Sequence, residues 1–127
     1  MMVLYAEDDL EDFNIFNDII QTIDPSVQVM NVRNGTDALE FLEHSAILPD
    51  YVFLDINMPT MDGKSCLKYI KKDKRFSNIP VIIYTTSNNK LDIELCNQLG
   101  ATDFIQKPVN FNEGVHDLHK FFKAKVY

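Results

Sequence analysis

The chain has 127 residues, 46% of them hydrophobic, which suits one domain with its own core and leaves little for a second. Its formal net charge of -7 argues against a general nucleic-acid binder, which needs a basic surface. No apolar run approaches membrane-spanning length and Met1–Ala6 lacks the basic lead of a signal peptide, so a cytoplasmic protein with no membrane and no direct nucleic-acid partner is expected.

Five short apolar runs alternate with amphipathic segments. Val3–Ala6 is the first run, and Glu7-Asp8-Asp9 follows it. Asp9 to Thr22 places Leu10, Phe13, Phe16, Ile19 and Ile20 near one helical face, with Pro25 past its end. Val27–Val32 is the second run. Gly35-Thr36-Asp37 opens a second helix with Ala38, Leu39, Phe41 and Leu42 as its apolar members, and His44 at its end needs no function. Tyr51–Leu54 is the third run and leads into Asp55 of the string DINMPTMDG, residues 55–63. Gly63 opens a third helix to about Asp73, with Cys66, Leu67 and Ile70 on one side. The basic stretch Lys71-Lys72-Asp73-Lys74-Arg75 suits a solvated helix end better than a phosphate or partner patch.

Val81–Tyr84 follows Pro80 as the fourth run, and Thr85-Thr86 comes next. Asn88 to Leu99 is a fourth helix that stops at Gly100. Phe104–Gln106 is the fifth run, just before Lys107-Pro108. Asn110 to about Lys123 is a fifth helix carrying Val115, Leu118, Phe121 and Phe122. His116 and His119 are three apart on it, but lack partner ligands and suit a surface or partner-facing role better than a metal pair. The two cysteines, Cys66 and Cys96, are too few for a disulfide framework and are expected as reduced, buried or half-buried thiols.

This alternation predicts an α/β fold: a doubly wound, five-stranded parallel sheet with five helices on its two faces, in one domain over residues 1–127. Ligands of such sheets bind outside the carboxyl ends of the strands. Those ends carry Glu7-Asp8-Asp9, Asp55, Thr85-Thr86 and Lys107. Helix capping explains Asp9 well, Asp8 less well and Asp55 not at all. Thr85 alone suits a turn, and Lys107 alone suits an exposed loop. Their arrival together at one sheet edge is what calls for chemistry. Crowded carboxylates repel unless a cation intervenes, and Mg²⁺ takes oxygen ligands and shares phosphates. A lysine and a threonine hydroxyl add contacts to phosphate oxygens. The set suits phosphoryl transfer with Asp55 as the acceptor nucleophile.

With Glu7-Asp8, the D-x-x-M-P-x-M-D-G string at Asp55, Pro80 to Thr85, and Gly100-Ala101 through Lys107-Pro108 in order, the sequence resembles the receiver domain of bacterial two-component response regulators, such as the chemotaxis regulator. The resemblance covers nearly the whole chain and implies the flavodoxin-like strand order 2-1-3-4-5. It implies Asp55 as phosphoacceptor, charged by a histidine kinase or phosphotransfer protein. It implies Mg²⁺ (or Mn²⁺) bound directly by Asp8 and Asp55, through water by Glu7 and through the backbone carbonyl of Asn57. Thr85 would bond the aspartyl phosphate and Lys107 would ion-pair with it. Thr85 and Phe104 would form the switch, with the helix 4–strand 5–helix 5 face changing. Asn57 and Ser87 would tune the phosphoaspartate lifetime. Met58-Pro59 would shape the turn and Gly63 would admit the next helix.

Three features depart from the usual pattern: Glu7 in place of an Asp, Phe104 without a hydroxyl, and Thr86 where small residues are usual. The expected function is a stand-alone signalling switch without an output domain, not an enzyme in its own right, with self-catalysed phosphorylation and dephosphorylation. Its output would be contact with a downstream protein target, or phosphate relay. A receiver-like module that binds without phosphorylation is the alternative. A phosphohydrolase with an aspartyl intermediate fits less well: such enzymes often carry an acid two residues past the nucleophile, where this chain has Asn57, and usually a cap insertion.

Overall fold

The strands lie in the order β2-β1-β3-β4-β5, all parallel, in the computed structural model, which describes residues 1–126. In chain order the elements are β1 (Met2–Ala6), α1 (Leu10–Ile23), β2 (Gln28–Val32), α2 (Gly35–His44), β3 (Tyr51–Leu54), α3 (Gly63–Lys72), β4 (Val81–Thr85), α4 (Lys90–Gln98), β5 (Asp103–Gln106) and α5 (Phe111–Val126). The expected five βα repeats and the flavodoxin-like order are both present. Among the described residues no helix is long and apolar enough to cross a membrane.

Strand periodicity of two builds two cores on the two faces of the sheet. Val3 and Tyr5 of β1, Phe53 of β3, and Ile82 and Tyr84 of β4 face one side, against Phe16, Ile19 and Ile20 of α1 and Leu118 and Phe121 of α5. Leu4, Ala6, Val52, Leu54, Val81 and Ile83 face the other, against Ala38 and Leu42 of α2 and Cys66, Leu67 and Ile70 of α3. Both faces of the three central strands are therefore covered, which is why their sequences read as unbroken apolar runs. The outer strands β2 and β5 are only half-buried.

Helix starts follow from side-chain caps. Asp9 accepts from the backbone N–H of Glu11 and Asp12, Asn34 from Asp37, Asp62 from Ser65 and Asn89 from Leu91. The Asn89 cap starts α4 at Lys90 rather than Asn88, and Asn110, which accepts from Glu113 N–H, precedes α5 at Phe111. Gly100 ends the α4 segment at φ 101, a conformation glycine adopts without strain.

Three expectations need correction. Leu10 is 67% exposed, because the first residue of α1 precedes the turn that meets the sheet. Lys71 is not a solvated cation: it is half-buried and its ammonium donates to the carbonyls of Ser77 and Ile79 at 3.1 and 2.7 Å, closing the loop before β4. Arg75 is paired as well, with Asp73 and with Glu43 of α2, and its guanidinium lies 4.7 Å from the centre of the Phe76 ring. Cys66 and Cys96 are free and buried.

Candidate functional site

The residues just past the strands continue the backbone ladder. Glu7 N–H donates to Val32 O at 2.8 Å, Asp55 N–H to Ala6 O at 3.3 Å, and Lys107 N–H to Thr85 O at 2.7 Å. The strand register therefore fixes where these three side chains start. Glu7 and Asp55 directly follow the neighbouring strands β1 and β3, and Lys107 reaches them across β4 on its four-carbon stem.

The Lys107 ammonium is the hub. It lies 2.8 Å from Asp55 Oδ2, 3.0 Å from Glu7 Oε1 and 3.0 Å from Asp12 Oδ2. An ammonium has three N–H donors, and here each meets a carboxylate. Glu7 is 2% exposed and Asp55 7%, so the two acids sit in a site where charge needs compensation.

Burial and a hydrogen bond with Asp55 push the Glu7 carboxyl up to about 8, against the pull of Lys107. Burial also opposes ionisation of Asp55, but hydrogen bonds from Lys107, Glu7 and Thr85 outweigh it and hold Asp55 below its ordinary value. Burial alone would lower Lys107, yet its bonds to Asp55 and Glu7 raise it instead. The site thus sets its two buried acids apart, with Asp55 held below the ordinary carboxylate range, Glu7 pushed above it, and the Lys107 ammonium between them.

Glu7 Oε2 is buried with no hydrogen-bond partner among the described residues. A carboxylate oxygen without a donor, beside an ionised carboxylate, fits a hard cation that takes oxygen ligands. Asp8 is exposed one residue further on and lies outside the Lys107 cluster, and Asn57 N–H donates to Asp55 Oδ1 at 3.2 Å. Among the described residues no three His, Cys, Asp or Glu side chains are arranged to hold a metal ion, and Glu7 and Asp55 are both paired with Lys107.

The loop after Asp55 is shaped from beneath. Gly63 N–H donates to Ile56 O at 3.0 Å, and a Cβ on Gly63 would overlap the Asp55 carbonyl oxygen. Met58 is buried, Met61 N–H returns to Pro59 O at 2.7 Å, and Thr60 carries φ 66 between them. Met58-Pro59 therefore shape the turn, and Gly63 admits the start of α3 beneath Asp55.

Thr85 is fully buried at the end of β4, where its hydroxyl oxygen accepts from Ser87 N–H at 3.4 Å, and its side chain is one of the influences that lower Asp55. Thr86 is exposed. Phe104 is half-buried on β5 against the α2–α3 core. Ser87 is already engaged: its hydroxyl donates to Asp92 Oδ2 at 3.1 Å, and Asp92 pairs with Lys64 of α3 at 3.2 Å. Asn57 is exposed, as are His116 and His119 on α5. Sequence reasoning missed Asp12, whose position in the first turn of a helix reads as a dipole-favoured acid. It also missed the Lys64–Asp92–Ser87 chain.

Residues 3–119 match the response regulator receiver domain family. The polar-differentiation response regulator DivK of Brucella anthropi is 32% identical over 109 residues, covering 85% of this chain and 85% of DivK. Stress response regulator protein 1 of Candida tropicalis is 29% identical over 109 residues, 86% of this chain, and the chain spans only 40% of that protein's length. The crystal structure of the phosphorylated cyanobacterial phytochrome response regulator RcpA superposes with a TM-score of 0.86 at 28% identity, covering 96% of this chain and 90% of RcpA.

Proposed function

The chain belongs to the response regulator receiver domain family of two-component systems, and from that premise we propose that Asp55 is its phosphoacceptor, charged by a histidine kinase or phosphotransfer protein. The observation that carries this reading is the Lys107 ammonium 2.8 Å from a buried, ionised Asp55, with Glu7 beside them.

Asp55 attacks the phosphorus of a phosphohistidine, a P–O bond forms as the P–N bond breaks, and the imidazole nitrogen leaves with the electron pair and takes a proton. Lys107 supplies positive charge to the transferred group, and the Thr85 hydroxyl supplies a hydrogen bond. Asp8, Asp55, Glu7 and the Asn57 carbonyl would hold Mg²⁺ or Mn²⁺. When bound, the ion neutralises charge on the phosphoryl oxygens.

The product adds up to about two negative charges at the sheet edge. Thr85 follows the phosphoryl group and Phe104 turns toward the space it leaves, which alters the α4–β5–α5 face for a downstream protein. The chain is a regulatory phosphoacceptor that forms and hydrolyses its own aspartyl phosphate, with no separate substrate to turn over.

Incubation with Mg²⁺ and phosphoramidate tests the reading. Mass spectrometry should find one added phosphoryl group, lost in Asp55→Asn. No modification of the wild type, or modification that persists in Asp55→Asn, would overturn it.

A further inference from the structure

Asp12 lies 95 residues from Lys107 in sequence and yet accepts a hydrogen bond from its ammonium at 3.0 Å. Its neighbour Glu11 already gives the first turn of α1 an exposed acid for the helix dipole, so that role does not require the reach of Asp12 to the sheet edge. Of the three carboxylates on Lys107, Glu7 and Asp55 are buried, whereas the Asp12 side chain is 39% exposed. It is the one that can leave into solvent at low cost. A cavity of about 260 Å³, lined by Asp12, Lys107, Pro108 and Phe111, opens beside the pair and gives the carboxylate room to turn.

We propose that Asp12 is a positioning residue that competes with an incoming phosphoryl group for Lys107 and so restrains phosphoryl capture at Asp55; this rests on Asp55 being the phosphoacceptor. In the resting site all three Lys107 donors are committed. A phosphoryl group must take one of them while its charge is repelled by a carboxylate on the same ammonium. Asp12 yields as the phosphoryl group arrives. Without its charge, Lys107 is held by Glu7 and Asp55 alone and engages the newcomer without an exchange.

The test is beryllofluoride binding in the presence of Mg²⁺, followed by NMR titration of the full chain. Asp12→Asn and Asp12→Ser should each bind about tenfold tighter than wild type at low salt, the scale of one charge a few ångströms away. Asp12→Glu should return toward wild type. The gap between wild type and Asp12→Asn should close as salt approaches about 1 M, because the competing charge is partly solvated. A structural role for Asp12 would weaken binding and would not follow salt. Equal or weaker binding in both neutral variants, or a gap indifferent to salt, overturns the proposal. Failure of the wild type to bind beryllofluoride at all overturns the phosphoacceptor reading along with it.

Discussion

The Ser87 hydroxyl donates to Asp92 Oδ2 at 3.1 Å and so ties the loop after β4 to the first turn of α4. Lys64 of α3 pairs with the other oxygen of Asp92 at 3.2 Å. The residue expected to tune the phosphoaspartate lifetime is therefore one end of a chain spanning three elements.

Replacing either Ser87 or Asp92 by alanine breaks the same contact. Both variants should shift the phosphoaspartate lifetime in the same direction, and the double variant no further than the larger single one. Decay of radiolabelled phosphoprotein measures this, and additive effects would mean that the two residues act separately. Asp92→Ala should cost less than about 1 kcal/mol of stability, since Lys64 and Asp92 are both partly solvated.

Lys107→Ala should abolish the compensation on which Asp55 depends. With the ammonium gone, burial dominates and the Asp55 carboxyl rises above its present value, because the Lys107 hydrogen bond is the largest influence lowering it. Beryllofluoride affinity should fall by at least about tenfold, the scale of one charge-assisted contact. Two buried acids without a cation should also lower stability by about 3 kcal/mol at neutral pH, measured by urea unfolding. Unchanged affinity would remove Lys107 from the site's chemistry.

Glu7 makes the metal-free protein sensitive to pH. Its folded value of about 8 stands above the unfolded 4.5, so the stability contributed by the protonated form is complete below 4.5 and is lost as pH rises through about 8. Thermal midpoints without metal should fall across that window, and Glu7→Gln should flatten the fall. Adding Mg²⁺ to wild type at the alkaline end should raise the midpoint. An identical slope in Glu7→Gln would assign the effect to another group.

Gly63→Ala places a methyl group on the Asp55 carbonyl oxygen and within 3.0 Å of Ile56 Cα. Both neighbours are backbone and cannot rotate away. The variant should lose about 3 kcal/mol in denaturant unfolding and should also lose the beryllofluoride response, because the strain falls under Asp55, the proposed acceptor. A wild-type unfolding midpoint would mean that the turn relaxes without cost.

Much of the site was legible because it follows from strand endings. Asp55 and Lys107 each close an apolar run, and a parallel sheet brings such endings to one edge whatever the lengths between them. Asp12 was illegible for a physical reason: in the first turn of a helix an acid has a sufficient local explanation, and only the reach of Lys107 past β4 reveals a second one. The burial of Lys71 was hidden in the same way, since a lysine at a helix end is favoured by the dipole whether or not it turns back to cap carbonyls. The strand order could be read only through the resemblance to receiver domains, because periodicity shows which residues are covered and not which strands are neighbours. Leu10 misled because helical spacing places it on the apolar face, while as the first residue of α1 it lies beyond the turn that meets the sheet.

The two cysteines lie sealed in α3 and α4, and burial pushes the Cys66 thiol up to about 12 and raises that of Cys96. Thiol reagents attack thiolates, so neither sulfur reacts while its helix is seated. Each is a built-in clock: its labelling rate counts how often that helix lifts from the sheet. Cys96 sits in the helix that bears Asp92, so phosphorylation that loosens α4 would quicken one clock and leave the other keeping its own time.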